Sequence, residues 1–211
     1  MNIIIKTRVL SAPFVGTSIR IRIDDPESLT WGMFDLTLAE GHEKAVIGWG
    51  DGTHEEFVTN GMVTHAYATT GEYEIRLSDD LAGIRCSHPK AGSPFRSTYA
   101  PMIREFQTTA FHMQTLGNYC LAGAANLTAF CCERSGVSIL APWAFAHCPS
   151  LTGRLDFPLV VSIDANSFGG CGAIAELHFG AANEATIKAS SAWETSGGRF
   201  GAENATVFFD L

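Results

Sequence analysis

The feature that most constrains the fold is a repeat of 23 to 24 residues in the C-terminal half of the chain. Four sets of mostly apolar residues keep this period, which indicates coils that stack equivalent side chains into interior ladders. We therefore predict a solenoid of about four coils over residues 101–211. The four ladders are Leu127, Leu151 and Ile174; Leu121, Phe145 and Phe168; Ala124, Cys148 and Cys171; and Ile139, Ile163 and Ile187.

A period near 23 residues is typical of leucine-rich repeats, with one strand and one helical or irregular turn in each coil. The pattern A-F-x-x-C-x-x-L at residues 144–151 returns in altered form at residues 167–174. It resembles the BspA-like leucine-rich repeats, and the resemblance covers residues 116–187. Residues 101–115 are expected to form a degenerate first coil and residues 188–211 a terminal cap. The structural residues that this resemblance implies are Phe145, Cys148, Leu151, Phe168, Cys171 and Ile174.

The N-terminal region carries short strand signals separated by glycine turns. Residues 19–23 alternate between isoleucine and arginine, which predicts a strand with one apolar and one basic face. Several such strands at regular spacing are typical of a β-sandwich. We expect a mostly β protein with a sandwich over residues 1–86, a connection over residues 87–100 and the repeats over 101–211.

Three short motifs in this region follow one another at short intervals. They are Trp-Gly-Asp-Gly-Thr at residues 49–53, His65-Ala66-Tyr67, and Gly-Glu-Tyr-Glu-Ile at residues 71–75. Together they resemble the PKD-like domain, an immunoglobulin-type sandwich, over residues 40–80. The resemblance implies structural roles for Trp49, Asp51, His65, Tyr67 and Tyr73.

Asp51 is also the most conspicuous carboxylate for a metal site. With Glu55 or Glu56 it could bind Ca²⁺, which prefers several oxygen ligands on a loop. The alternative, which we favour, is that Asp51 accepts backbone N–H bonds and holds its turn. We predict no cofactor and no catalytic residue, because the chain has no G-x-S-x-G, P-loop or H-E-x-x-H motif.

Six cysteines are present. Cys148 and Cys171 occupy equivalent positions of adjacent coils, so a disulfide between them is one alternative, although its geometry is demanding. Buried reduced thiols are the interpretation we favour. Asp156 and Glu176 fall near equivalent positions of neighbouring coils and could form an acidic pair, or simply a solvated face.

The formal net charge of −8 and the scattered basic residues argue against nucleic-acid binding, which needs a basic stripe. No apolar run is long enough for a membrane-spanning helix, so no membrane insertion is expected. The N-terminal residues become charged too early for a signal peptide. The chain stays inside the cell, has lost a signal, or is exported by another route.

The leading functional hypothesis is a non-enzymatic recognition or adhesion module that binds a protein or glycan through the repeat surface. The alternative is a structural component of a larger assembly, such as a phage-encoded or surface-layer accessory protein. The BspA-like resemblance implies the cell surface or a virion, among gut-associated bacteria and their prophages. Trp193, Phe200, Phe208 and Phe209 either fold back as the cap or join a second copy in a homodimer.

Overall fold

The structure is a computed structural model that describes residues 14–26, 30–86 and 99–211. The protein is mostly β with several sheets, and its described part contains two short α-helices. The N-terminal segment considered for a signal peptide, and residues 87–98 of the expected connection, lie outside the described residues. None of the helices in the described part of the chain is long and apolar enough to cross a membrane.

Within residues 14–26 and 30–86, seven strands precede the expected connection, and those that pair with one another do so antiparallel. In the first strand Ile19, Ile21 and Ile23 are buried while Arg20 and Arg22 are exposed, as the alternation predicts. The strands are β1 (Gly16–Ile23), β2 (Thr30–Leu38), β3 (Ala45–Gly48), β4 (His54–Phe57), β5 (Gly61–Ala66), β6 (Gly71–Ser78) and β7 (Leu81–Arg85).

The second half of the chain forms short strands joined by turns. It ends in two short helices and a last strand. Short 3₁₀ turns span Ala100–Met102 and Ala181–Asn183, and the helices are α1 (Glu184–Lys188) and α2 (Ser191–Ser196). The strands are β8 (Ile103–Thr108), β9 (Thr115–Leu116), β10 (Ala129–Cys131), β11 (Ile139–Leu140), β12 (Gly153–Phe157), β13 (Ser162–Ile163), β14 (Ile174–Phe179) and β15 (Thr206–Phe209).

The two halves share their sheets. One six-stranded sheet has the order β4-β3-β6-β1-β8-β10, and the other has the order β5-β2-β7-β9-β11-β13. Strand β8 pairs antiparallel with β1 and parallel with β10, and β7 pairs antiparallel with β2 and parallel with β9. A third sheet, β12-β14-β15, is entirely parallel. The change from antiparallel to parallel pairing therefore occurs inside each shared sheet.

A column of phenylalanine rings runs through the interior of the second half. Successive ring centroids lie 5.6, 5.7, 5.7 and 5.8 Å apart, so each ring contacts the next. The contact between Phe130 and Phe157 spans the break between the first and third sheets. We call these residues the phenylalanine column: Phe106 of β8, Phe130 of β10, Phe157 of β12, Phe179 of β14 and Phe209 of β15.

Three of the four predicted ladders are buried throughout, with exposures of 0 or 1 %. The fourth is wrong. Ile163 pairs with Leu140, not with Ile139, and Ile187 lies in α1. Ile139 is 37 % exposed, because successive strand residues point to opposite faces and the predicted register was wrong by one residue. The ladder at this position instead consists of Leu116, Leu140 and Ile163, which are in register on adjacent strands.

The aromatic residues at the end of the chain pack back onto the repeats. Phe200 is fully buried, and Trp193 lies 5.8 Å, centroid to centroid, from both Phe200 and Phe209. The Lys188 ammonium group sits 5.1 Å above the Phe209 ring. Ile187 of α1 is also fully buried, so the two short helices cover this end of the core.

Replacing Phe157 with alanine should lower the free energy of unfolding by about 3–5 kcal/mol, because Phe157 is fully buried and contacts Phe130 and Phe179 in the column. The control is Phe111→Ala, since Phe111 is 67 % exposed and should change stability by about 0.5 kcal/mol or less. Urea denaturation measures both. Equal losses for the two variants would mean that the column does not stabilise the fold.

Replacing Gly201 with alanine should be more damaging than replacing Gly41, although both have φ near the same positive value, +86° and +82°. Both variants carry the left-handed backbone strain of roughly 1–2 kcal/mol. At Gly201 the new Cβ would also lie 2.8 Å from the Gly169 backbone nitrogen, whereas at Gly41 nothing lies within 4 Å. Thermal unfolding should therefore show a clearly lower Tm for Gly201→Ala than for Gly41→Ala. A similar Tm for the two variants would argue against close contact between the backbone at Gly201 and that at Gly169.

Candidate functional site

A groove lies on the outer face of the sheet that the two halves share. Leu36, Ile84 and Leu116 are buried on the inner face of β2, β7 and β9, so their strand neighbours point outward. The groove has a volume of about 390 Å³, within the range of small-ligand sites of roughly 300–1,000 Å³. We call it the seam groove, lined by Asp35, Thr37, Ala82, Gly83, Ile84, Arg85, Gln114, Thr115, Gly117 and Asn118.

The strand register explains the shape of the groove. Gly83 pairs with Thr37 on one side and with Thr115 on the other. Because glycine has no side chain, the floor between the two threonines is open, and a Cβ at Gly83 would meet only ordinary contacts of 3.6 to 3.8 Å. The groove thus exists because β9, a strand of the second half, pairs beside β7.

The charged groups of the groove neutralise each other. Arg85 Nη2 donates to Asp35 Oδ2 at 2.8 Å, and both side chains are partly exposed. The side chains of Thr37, Gln114, Thr115 and Asn118 make no hydrogen bond to any described residue of the chain. These four side chains can both donate and accept, so the groove offers unused hydrogen-bonding capacity to a ligand.

The sequence indicated part of this site. Alternation around Leu36 predicts that Asp35 and Thr37 share an outward face. It does not reveal that β7 and β9 become neighbours, because 30 residues separate Thr115 from Arg85 and the strands are short. The groove residues were therefore missed as a set.

The residues of the three short motifs at 49–53, 65–67 and 71–75 come together at the ends of β3 and β5. The Trp49 and His65 rings stack with centroids 4.6 Å apart, and His65 Nε2 lies 2.8 Å from Asp51 Oδ2. Tyr67 is buried, donates to the Trp49 carbonyl at 2.9 Å, and stacks on Tyr73. Burial raises the pKa of Tyr67. These contacts join the turn at residues 49–53 to β5 and β6.

Both carboxylate oxygens of Asp51 accept hydrogen bonds. Oδ1 accepts from the Thr53 backbone N–H and hydroxyl at 2.9 and 2.6 Å, and Oδ2 faces His65. Burial would raise the pKa of Asp51, but the bonds from Thr53 and His65 outweigh it and lower that pKa to about 2. Glu55 pairs in register with Ile47, and among described residues no group of three or more His, Cys, Asp or Glu could hold a metal.

The predicted structural residues of the repeats are all buried at 0 or 1 % exposure. The six cysteines of the chain are free thiols. Cys148 Sγ donates to the Leu121 carbonyl at 3.2 Å, and Cys171 Sγ donates to the Phe145 carbonyl at 2.8 Å. The interaction with Cys171, together with burial, raises the pKa of Cys148 well above the usual range. Each thiol thus donates a hydrogen bond to a backbone carbonyl about one repeat period earlier in the chain.

Asp156 and Glu176, considered as an acidic pair, are not in register with each other, because Asp156 is in register with His178 and Glu176 with Arg154. The His178 side chain is 4 % exposed, and its two ring nitrogens lie 2.7 Å from Asp210 Oδ1 and 3.0 Å from Glu176 Oε2. Its ring stacks on Phe208. This cluster ties β14 to β15 and to Asp210, the residue that follows β15.

No protein-family model, no curated protein and no solved structure matches this chain.

The lowered pKa of Asp51 predicts an acid-dependent loss of stability. A carboxylate whose pKa falls on folding stabilises the native state above its ordinary pKa of 3.8, and this contribution is lost as the pH falls toward about 2. Asp51→Asn should reduce the free energy of unfolding near pH 5 and flatten its decline between about pH 4 and pH 2.

Urea denaturation at a series of pH values tests this prediction. Glu203→Gln serves as the control, because it removes one carboxylate from an exposed position. An Asp51→Asn curve parallel to that of the unchanged protein over this pH range would show that Asp51 does not carry the effect.

Proposed function

We propose that this protein is a non-enzymatic recognition module that binds its ligand in the seam groove. The carrying observation is that unpaired hydrogen-bonding side chains lie on both sides of β7: Thr37 on β2, and Gln114, Thr115 and Asn118 in and beside β9. Polar groups that find no partner within a folded chain are available to a ligand, and a few such groups in a concave site give it orientation and specificity. The ligand is a protein or a glycan.

The architecture that we propose is a PKD-like sandwich that continues into a short solenoid of BspA-like leucine-rich repeats. The contacts among Trp49, Asp51, His65 and Tyr67 support the first part. The second part is supported by the three buried ladders and by backbone bonds between successive units, such as Leu121 N–H to the Ala144 carbonyl. This arrangement places the seam groove where the two parts meet.

The alternative, a structural component of a larger assembly, is favoured by one observation. Strand β15 is the last strand of its sheet and pairs only with β14 among the described strands. An unpaired strand edge is a template for another chain, including a second copy in a homodimer. Light scattering over a range of protein concentrations distinguishes a monomer from an assembly formed in this way.

The recognition proposal is tested by filling the groove without disturbing the sheet. Gly83→Thr adds a side chain at a position where the new Cβ meets only ordinary contacts, and threonine suits a strand. The matched control is Gly48→Thr, a strand glycine outside the seam groove whose Cβ would lie 3.9 Å from the Arg76 carbonyl oxygen.

The unchanged protein and both variants are applied to a glycan array and an array of purified extracellular proteins. We expect binding that Gly83→Thr abolishes and Gly48→Thr retains. Binding that survives Gly83→Thr would place the ligand elsewhere, and an absence of binding on both arrays would contradict a recognition role.

A further inference from the structure

Resting on the proposed function, we infer that the seam groove takes an uncharged polyhydroxylated ligand, a segment of a neutral glycan. The features that carry this inference are the charge of the groove, the type of its polar groups and the absence of apolar anchors in its lining.

The charge of the groove favours a neutral ligand. Among the described residues that line it, Asp35 and Arg85 are the only ionisable ones, and they pair with each other at 2.8 Å. An anionic ligand would lie beside the Asp35 carboxylate, and a cationic one beside the Arg85 guanidinium. Either would have to disrupt a pair in which the two opposite charges already neutralise each other. A ligand without net charge leaves the pair intact.

The unused polar groups match sugar hydroxyls in kind. The hydroxyls of Thr37 and Thr115 flank Gly83, and the carboxamides of Gln114 and Asn118 lie at the β9 side of the groove. A hydroxyl both donates and accepts, and a carboxamide does so through separate atoms. Sugar hydroxyls have the same double capacity, so a ring could satisfy several of these groups together.

A peptide is a poorer fit to the same surface. Peptides that add a strand need free backbone groups at a sheet edge, whereas β7 lies inside its sheet between β2 and β9. Protein partners also gain most of their affinity from buried aromatic, arginine or large apolar anchors. Ile84, the only large apolar residue in the described part of the lining, is 2 % exposed. The 390 Å³ volume suits about one or two sugar rings.

The test is isothermal titration calorimetry of the whole chain with four probes. Three are neutral: cellopentaose, maltopentaose and N-acetylated chitopentaose. The fourth, pentagalacturonate, is acidic. We expect at least one neutral probe to bind with a micromolar to millimolar Kd and pentagalacturonate to bind at least tenfold more weakly.

Threonine-to-valine substitutions show whether the hydroxyls make the contact. Thr115→Val keeps the shape of the side chain and removes its hydroxyl, so the Kd for the neutral probe should rise about three- to tenfold. Thr64→Val changes an exposed threonine of β5 outside the groove and should leave the Kd unchanged. Thermal unfolding of each variant checks that the fold is retained.

The outcomes separate this inference from the proposed function. If only pentagalacturonate or arrayed proteins bind, and Gly83→Thr abolishes that binding, the groove is a recognition site but its ligand is not a neutral glycan. Neutral-probe binding that Thr115→Val and Gly83→Thr leave unchanged overturns the groove assignment. If none of the probes or arrayed molecules binds, both proposals fail.

Discussion

The structure depends on the hydrogen-bonded continuation of both N-terminal sheets into the repeats. Without β9, the outer edge of β7 would be open, and without β8 the same would hold for β1. The repeats close these edges with strands of their own. One consequence is the seam groove, because its floor lies on β7 and its sides come from β2 and β9. The candidate site therefore exists only because the two halves join at β7 and β9.

Side-chain packing extends the junction inward. Phe106 belongs to a strand paired with β1 and also begins the phenylalanine column. The column continues where regular pairing stops between β10 and β12, since Phe130 and Phe157 remain in contact. The buried residues of both halves consequently form one hydrophobic core. Burial of apolar surface, which is non-directional, thus holds the units together where directional hydrogen bonding is interrupted.

How much could be predicted from the sequence varies from element to element. The period placed Phe145, Phe168, Cys148 and Cys171 in buried ladders because close stacking tolerates little change in size. It failed for Ile139, since Ile139 and Leu140 are both large and apolar and only the register decides which faces inward. The pairing of Gly83 with Thr115 was not predictable, because it joins distant short strands and leaves no local pattern. The seam groove was missed for that reason.

The order of the strands along the chain bears on how the protein folds during synthesis. Strands β1 to β7 pair among themselves, so a ribosome releases a set of sheets before any repeat emerges. Except for β12, whose partner β14 comes later in the chain, each later strand follows its hydrogen-bonding neighbour: β8 follows β1, β9 follows β7, and β15 follows β14. This order would let the early sheets template stepwise growth. Unpaired edges of the kind that promote aggregation are thereby exposed only briefly, one unit at a time.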